Sequence, residues 1–206
     1  MTQKELLQLI GRELFPDWKM IAGLGGGLRY RKPNMPGITD SIDIATSTYR
    51  DGFSIGMSLN GYRSFDAVED IMELFCRKHN KPGFFITIKI FKDAPFDWAR
   101  IPIESASDLA PLLPPMREVV FDQMLPFLNR FNTIEAVYAH AKDMDHDQRA
   151  LFVHSPVPDR MLIMKRLVGA PDFSEYGDWL AGIYTENPQY DLHGFFFELY
   201  DHLKKM

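Results

Sequence analysis

A strict two-residue alternation in the first half of the chain is the feature that most limits how it can fold. Phe53, Ile55, Met57 and Leu59 point one way, and Ser54, Gly56, Ser58 and Asn60 the other. This is the pattern of a strand with one buried face, and a one-residue slip would turn its apolar set to water. Residues 42–49 are predicted to form its partner. The connection Arg50-Asp51-Gly52 contains Asp-Gly, which supplies the positive φ angles of a tight hairpin. Extended stretches are also expected over 18–22, over 28–32 up to a stop at Pro33, and over 84–91, where Phe84, Ile86, Ile88 and Ile90 share a face. Thr2-x-x-Glu5 is a capping box that opens a helix over 3–14. Ser64 is expected to cap a second helix with Val68, Ile71, Met72 and Phe75 as its apolar stripe. The first half therefore reads as an antiparallel sheet of about four strands with packed helices.

Helical spacing takes over later in the chain. Pro95, Pro102, Pro111, Pro114 and Pro115 are expected to break any long element. They place a division between 1–104, the sheet with two helices, and 105–206, a helical half packed on the first as one compact unit. Pro115 can open a helix running toward Leu125. Asn132-x-x-Glu135 is read as the cap of the next, and Asp159 as the cap of a helix over 160–168 that Gly169 ends. Ser174 is read as the cap of a helix whose Tyr176, Trp179, Leu180 and Ile183 face the core, and Asp191 precedes a last helix carrying Leu192, Phe195, Phe196, Leu199 and Leu203. The class is α+β.

With 206 residues, 46% of them hydrophobic, the chain can bury a core without staples. Its single cysteine, Cys76, rules out an internal disulfide and any CxxC motif. No run approaches 18 apolar residues, so no membrane partnership is expected. The amphipathic start and the lone thiol point to the cytoplasm. The net charge of −5 is unevenly spread: residues 1–104 hold 14 Lys/Arg against 13 Asp/Glu, and residues 105–206 hold 9 against 15. Between Arg166 and Lys204 there is no lysine or arginine, while Asp172, Glu175, Asp178, Glu186, Asp191, Glu198 and Asp201 fall inside that span. A nucleic-acid binder needs a basic face, so nucleic acid is not an expected ligand. A basic protein partner is, because opposed fields speed encounter.

Motifs that carry chemistry are sparse. Gly23-Leu24-Gly25-Gly26-Gly27 lacks the Gly-Lys of a phosphate loop and leads into a strand, so it reads as a turn. Cys76 lies near the C-terminal end of its predicted helix, where the dipole disfavours a thiolate, and reads as core filler. His140, Asp143, Asp145, His146 and Asp147 form the densest polar cluster. It fails the EF-hand pattern, since Gln148 and His154 stand where glycine and glutamate are required. His146-Asp147 resembles the paired ligands of HD-type phosphohydrolases, but a solvated interhelical loop with an acidic cap accounts for the cluster as well. Ala45, Ser47, Ser54, Gly56, Ser58, Thr87 and Lys89 give the sheet a second face of small and polar side chains, read as solvated.

The order of elements, with the Phe53-Ser54-Ile55-Gly56-Met57 strand and the Leu125-Pro126-Phe127-Leu128-Asn129-Arg130-Phe131 segment introducing the helices, resembles bacterial α+β proteins of unknown function that act as immunity proteins. Such proteins neutralise toxins delivered by contact-dependent or type VI systems. The resemblance implies a non-enzymatic protein that occludes a cognate toxin, and it transfers no residue roles.

The residues lean the same way independently. Asp172, Glu175, Asp178, Glu186 and Asp191 are expected to steer a basic partner, with Tyr184 and Tyr190 contributing buried area. Trp179 is expected to be a core residue of its helix. No cofactor and no metal are expected. The alternative is a metal-dependent hydrolase using His140, Asp143, His146 and Asp147; a scaffold binding a small ligand between sheet and helices is a third reading.

Overall fold

The computed structural model describes residues 2–22, 28–49, 52–83, 85–93, 101–191 and 193–206. The glycine run at 23–27, Arg50 and Asp51 of the expected hairpin turn, Phe84, Pro95 and Leu192 lie outside the described residues, as do the side chains of Ser47, Phe53, Gly56, Met57 and Ser58.

The fold is α+β. Five strands form one antiparallel sheet in the order β1-β2-β3-β4-β5, one strand more than the alternation predicts. They are β1 (Lys19–Ala22), β2 (Leu28–Met35), β3 (Ile38–Tyr49), β4 (Gly52–Phe65) and β5 (Ile88–Asp93). Strand β2 does not stop at Pro33. Pro33 pairs with Thr39, with an irregularity between Pro33 and Met35. Strand β1 pairs only with Leu28 to Arg31 of β2, so Pro33 sits on an open edge where its missing N–H breaks no ladder. Strand β4 runs on to Phe65. Ser64 is therefore a strand residue whose hydroxyl donates to the Phe85 carbonyl at 2.6 Å, not the cap of helix α2 (Asp66–Lys78). That helix starts behind Phe65 with no side-chain cap, aided by Asp66 and Glu69 at its positive end.

The chain forms two compact units, residues 1–63 with 90–130, and residues 64–89 with 131–206. They do not divide at 104/105. The boundaries fall inside β4 and β5.

In the first unit, helix α1 (Gln3–Leu14) carries the predicted capping box, with the Glu5 amide on Thr2 Oγ1 at 3.2 Å and the Thr2 amide on Glu5 Oε2 at 2.7 Å. Its Leu6, Leu7, Ile10 and Leu14 are buried together with Phe15, which stacks on Tyr30 at 4.5 Å. The prolines after residue 101 do not break the next segment. Residues 106–128 form one helical run: α3 (Ala106–Leu109), a 3-10 turn (Ala110–Leu112), α4 (Leu113–Arg117), a π-helical stretch (Glu118–Met124) and α5 (Leu125–Leu128). Pro111, Pro114, Pro115 and Pro126 sit at or near the joints. Each changes the hydrogen-bond register where its missing donor would interrupt an α ladder. The last turn is anchored by Arg63 of β4, a fully buried side chain. Its guanidinium donates to Asp40 at 2.7 and 2.8 Å, to the Leu128 carbonyl at 2.6 Å and to Asn129 Oδ1 at 3.0 Å.

The second unit contains α2, α6 (Ile134–Ala141), α7 (His146–Phe152), α8 (Val157–Leu167), α9 (Phe173–Glu186), a 3-10 turn (Pro188–Tyr190) and α10 (Phe196–Lys205). Thr133, not Asn132, caps α6 by accepting from the Ala136 amide at 3.2 Å. Helix α8 starts at Val157, so Asp159 is not its cap but a buried member of its first turn. Gly169 does end it. At φ +65° it completes a Schellman closure, with the Ala170 amide on the Lys165 carbonyl at 2.9 Å and the Gly169 amide on Arg166 at 3.1 Å. Helix α9 begins one residue ahead of Ser174, with Asp172 at its N-cap position.

Candidate docking face on helix α9

Helix α9 presents Glu175, Asp178, Trp179, Gly182 and Glu186 to solvent. Three- and four-residue spacing puts them on one stripe. The opposite stripe is Phe173, Gly177, Leu180 and Tyr184, all buried. This phase departs from the expected one and reverses two assignments. Trp179, expected in the core, is 57% exposed, and its ring leans on Tyr176 at 5.6 Å between centroids. Tyr184, expected to contact a partner, is 6% exposed and meets Phe196 edge-on at 4.7 Å. The misleading residue is Gly177, which offers no apolar signal yet occupies the inward position where Tyr200 of α10 crosses. A Cβ there would collide with the Tyr200 ring.

The seven acids of the span 167–203 do not make one continuous field. Asp172 is held by Lys165 of α8, with Nζ to Oδ2 at 2.5 Å. Lys165 is 6% exposed and also donates to the Tyr138 hydroxyl at 3.1 Å, its ammonium lying 5.4 and 5.0 Å from the Tyr138 and Tyr176 ring centroids. Burial works against the charge on Lys165, but the bonds to Asp172 and Tyr138 outweigh it and hold its pKa above the ordinary lysine value. The same bond holds Asp172 below the usual carboxylate range. Asp178 is exposed and accepts from the Tyr200 hydroxyl at 2.9 Å. Burial and that bond push Tyr200 up to about 12. Asp191 accepts from the Gly194 and Phe196 amides at 2.8 and 3.1 Å, which organises the entry to α10. Glu198 pairs with Lys78 and His79, and Asp201 with Lys204 at 2.7 Å. What remains outward on one face is Glu175, Asp178 and Glu186 around Trp179, with Tyr190 at 59% exposure just beyond the helix end.

Beside this face, α6, α7, α8 and the start of α9 line a cleft of about 710 Å³, with Tyr138, Lys142, Arg149, Lys165 and Tyr176 among its walls. Its charged groups are largely engaged. Arg149 donates to the Ala141, Lys142 and Met144 carbonyls and so closes the C-terminal end of α6.

The polar cluster at 140–147 does not converge. Asp145 caps α7, accepting from the Gln148 amide at 2.8 Å within a capping box. His140 packs on Phe131 and Phe152 at 4.9 and 5.0 Å, and Asp143, His146 and Asp147 are exposed. Among the described residues no three His, Cys, Asp or Glu side chains come together to hold a metal. Cys76 is buried on α2, and burial raises its thiol pKa. Among the described residues no helix is long and apolar enough to cross a membrane. No protein-family model, curated protein or solved structure matches the chain.

Sequence reasoning missed a buried ionic group. Arg160 of α8 grips Glu69 of α2 with two bonds at 3.0 and 2.8 Å, and Thr87 donates to the same carboxylate at 2.7 Å. Asp159, next to Arg160 in the chain, is also buried, 3% exposed. The heptad-like spacing of apolar residues gives no hint that charged residues in α2 and α8 point inward.

Proposed function

We propose that this protein is a non-enzymatic binding protein that docks a basic partner on the exposed stripe of α9. Neutralisation of a cognate toxin is the specific role that the resemblance to immunity proteins suggests. The observation that supports the reading is Trp179: a large aromatic side chain left mostly in water, with Glu175 four residues before it, Asp178 next to it and Glu186 seven residues after it. Tryptophan is enriched among residues that dominate binding energy, and acids around it would attract and orient an arginine or lysine. Gly182 adds no side chain within the stripe, so a partner's backbone can come close there.

The test takes as the partner the basic protein captured from the native cell with the wild-type chain, and measures its association with each variant. Glu175→Lys with Glu186→Lys is expected to slow association about tenfold or more at low salt, with the difference shrinking as salt rises. Trp179→Ala is expected to speed dissociation, by the equivalent of about 2 kcal/mol. Asp172→Asn serves as the contrast, since Lys165 already engages that carboxylate, and it should leave association unchanged. Wild-type rates in both the charge-reversal and tryptophan variants would dismiss the face.

A further inference from the structure

The cleft lined by α6, α7, α8 and the start of α9 keeps positive charge inside and negative charge outside. Lys165 lines it with a side chain only 7% exposed, while the side chain of its counterion Asp172 is 51% exposed. The other two acids along the walls, Glu135 and Asp143, are exposed as well. Water and salt screen carboxylates at such a mouth, whereas a cation set back among protein atoms keeps more of its field. The cleft therefore draws in an anion, and Lys165 repels a cation that enters.

Two of its cations also keep donors unspent. The Lys165 ammonium has three protons, of which the Tyr138 hydroxyl and Asp172 Oδ2 take two. The Tyr138 and Tyr176 rings offer it π faces, and no third acceptor reaches it among the described residues. Arg149 gives Nε and one terminal nitrogen to the Ala141, Lys142 and Met144 carbonyls. Its other terminal nitrogen has no acceptor among the described residues. Lys165, Arg149 and Asp172 together sum to one net positive charge, and Lys142 is offset by Asp143 at 3.9 Å. That balance suits a monoanion rather than a dianion. A carboxylate has two oxygens to share between an ammonium proton and a guanidinium nitrogen. Tyr138 and Tyr176 supply ring faces for the rest of the ligand. The space of about 710 Å³ is of the size that holds a metabolite.

We propose that this cleft binds a small carboxylic acid with an aromatic body, its carboxylate held by Lys165 and Arg149. Asp172 is the internal anion with which the ligand competes for Lys165. The site does not rest on the docking function of α9.

The test titrates the full chain with benzoate, and with benzamide as its neutral counterpart. Nuclear magnetic resonance follows the backbone amides of Gly169 and Ala170, which line the cleft. Benzoate is expected to shift them saturably with a millimolar dissociation constant, in keeping with its few atoms. Benzamide is expected to bind about tenfold more weakly or worse. The two sides of the ion pair should move the affinity in opposite directions. Lys165→Met is expected to weaken benzoate about tenfold or more. Asp172→Asn removes the competing exposed charge and is expected to strengthen it about threefold. An ion pair with only a structural role would weaken the fold from either side and strengthen binding from neither. No saturable shift with benzoate, equal affinity for benzamide, or no gain in Asp172→Asn would overturn the site, as would undiminished binding by a folded Lys165→Met. Should Lys165→Met fail to fold, the benzamide comparison and Asp172→Asn still decide it.

Discussion

Arg63 shows how single side chains hold this molecule together. It lies inside the first unit with its fork on Asp40, and it accepts none of its environment passively: its remaining donors close the open carbonyl end of α5 at Leu128. Removing one partner of a buried pair leaves the other charge unanswered. Arg63→Met is therefore expected to cost about 3–5 kcal/mol in denaturant unfolding, and Asp40→Asn a comparable amount. Replacing both together should cost less than the sum of the two. Asp159 behaves in the opposite sense. Its pKa is raised in the folded state, so its contribution to stability is full below the unfolded carboxylate pKa and is lost as pH rises to about 7. Asp159→Asn should flatten the pH dependence of unfolding and stabilise the protein at pH 8 by on the order of 3 kcal/mol. Arg63 does not stand out in the sequence, and Asp159 stands out only as an expected helix cap, because charged residues in otherwise amphipathic segments normally read as solvated.

At the scale of elements, the sequence is legible where a local chemical rule fixes the outcome. The Thr2 and Glu5 box and Gly169 mark helix ends through bonds made within one turn, and both ends are found as read. The alternation around Ile55 and Leu59 marks a strand for the same reason. Legibility fails where a distant partner decides. Ser64 bonds Phe85 rather than a helix end, and four prolines are absorbed by a run that shifts between α, 3-10 and π registers. The exposed stripe of α9 is the instructive case. Its acids are plain in the sequence, but the rotation of the helix is set by Gly177 against Tyr200, and a glycine contributes nothing to an apolar pattern. Gly177→Ala tests that account. Alanine gains about 1 kcal/mol in intrinsic helix preference, yet its methyl would meet the Tyr200 ring. The net effect expected from thermal unfolding is a loss of about 1–2 kcal/mol, as for other overpacked sites. A stabilised variant would show that Tyr200 moves aside freely.

For the whole molecule, two-residue alternation giving way to helical spacing conveys its α+β class, but not how the chain is partitioned. The proline-rich stretch suggests a cut near residue 104, yet each unit recruits residues from both sides of it. The contacts responsible, such as Glu69 with Arg160, join residues 91 apart in sequence, beyond the reach of any local pattern. Residues 105–206 expressed alone lack Glu69 and Thr87 of the second unit. That fragment is expected to give no cooperative unfolding transition and to bind a hydrophobic dye, whereas adding residues 64–89 in trans should restore part of the transition. A sharp transition from the fragment alone would show that α6 to α10 suffice. The interleaving also sets a timetable for biosynthesis. Translation releases α2 early, then a long stretch destined for another core, and only after it α8, the helix that grips α2 through Arg160. A nascent chain must therefore keep the apolar side of α2 waiting while the ribosome finishes its work, which makes that face a natural place for a chaperone to hold.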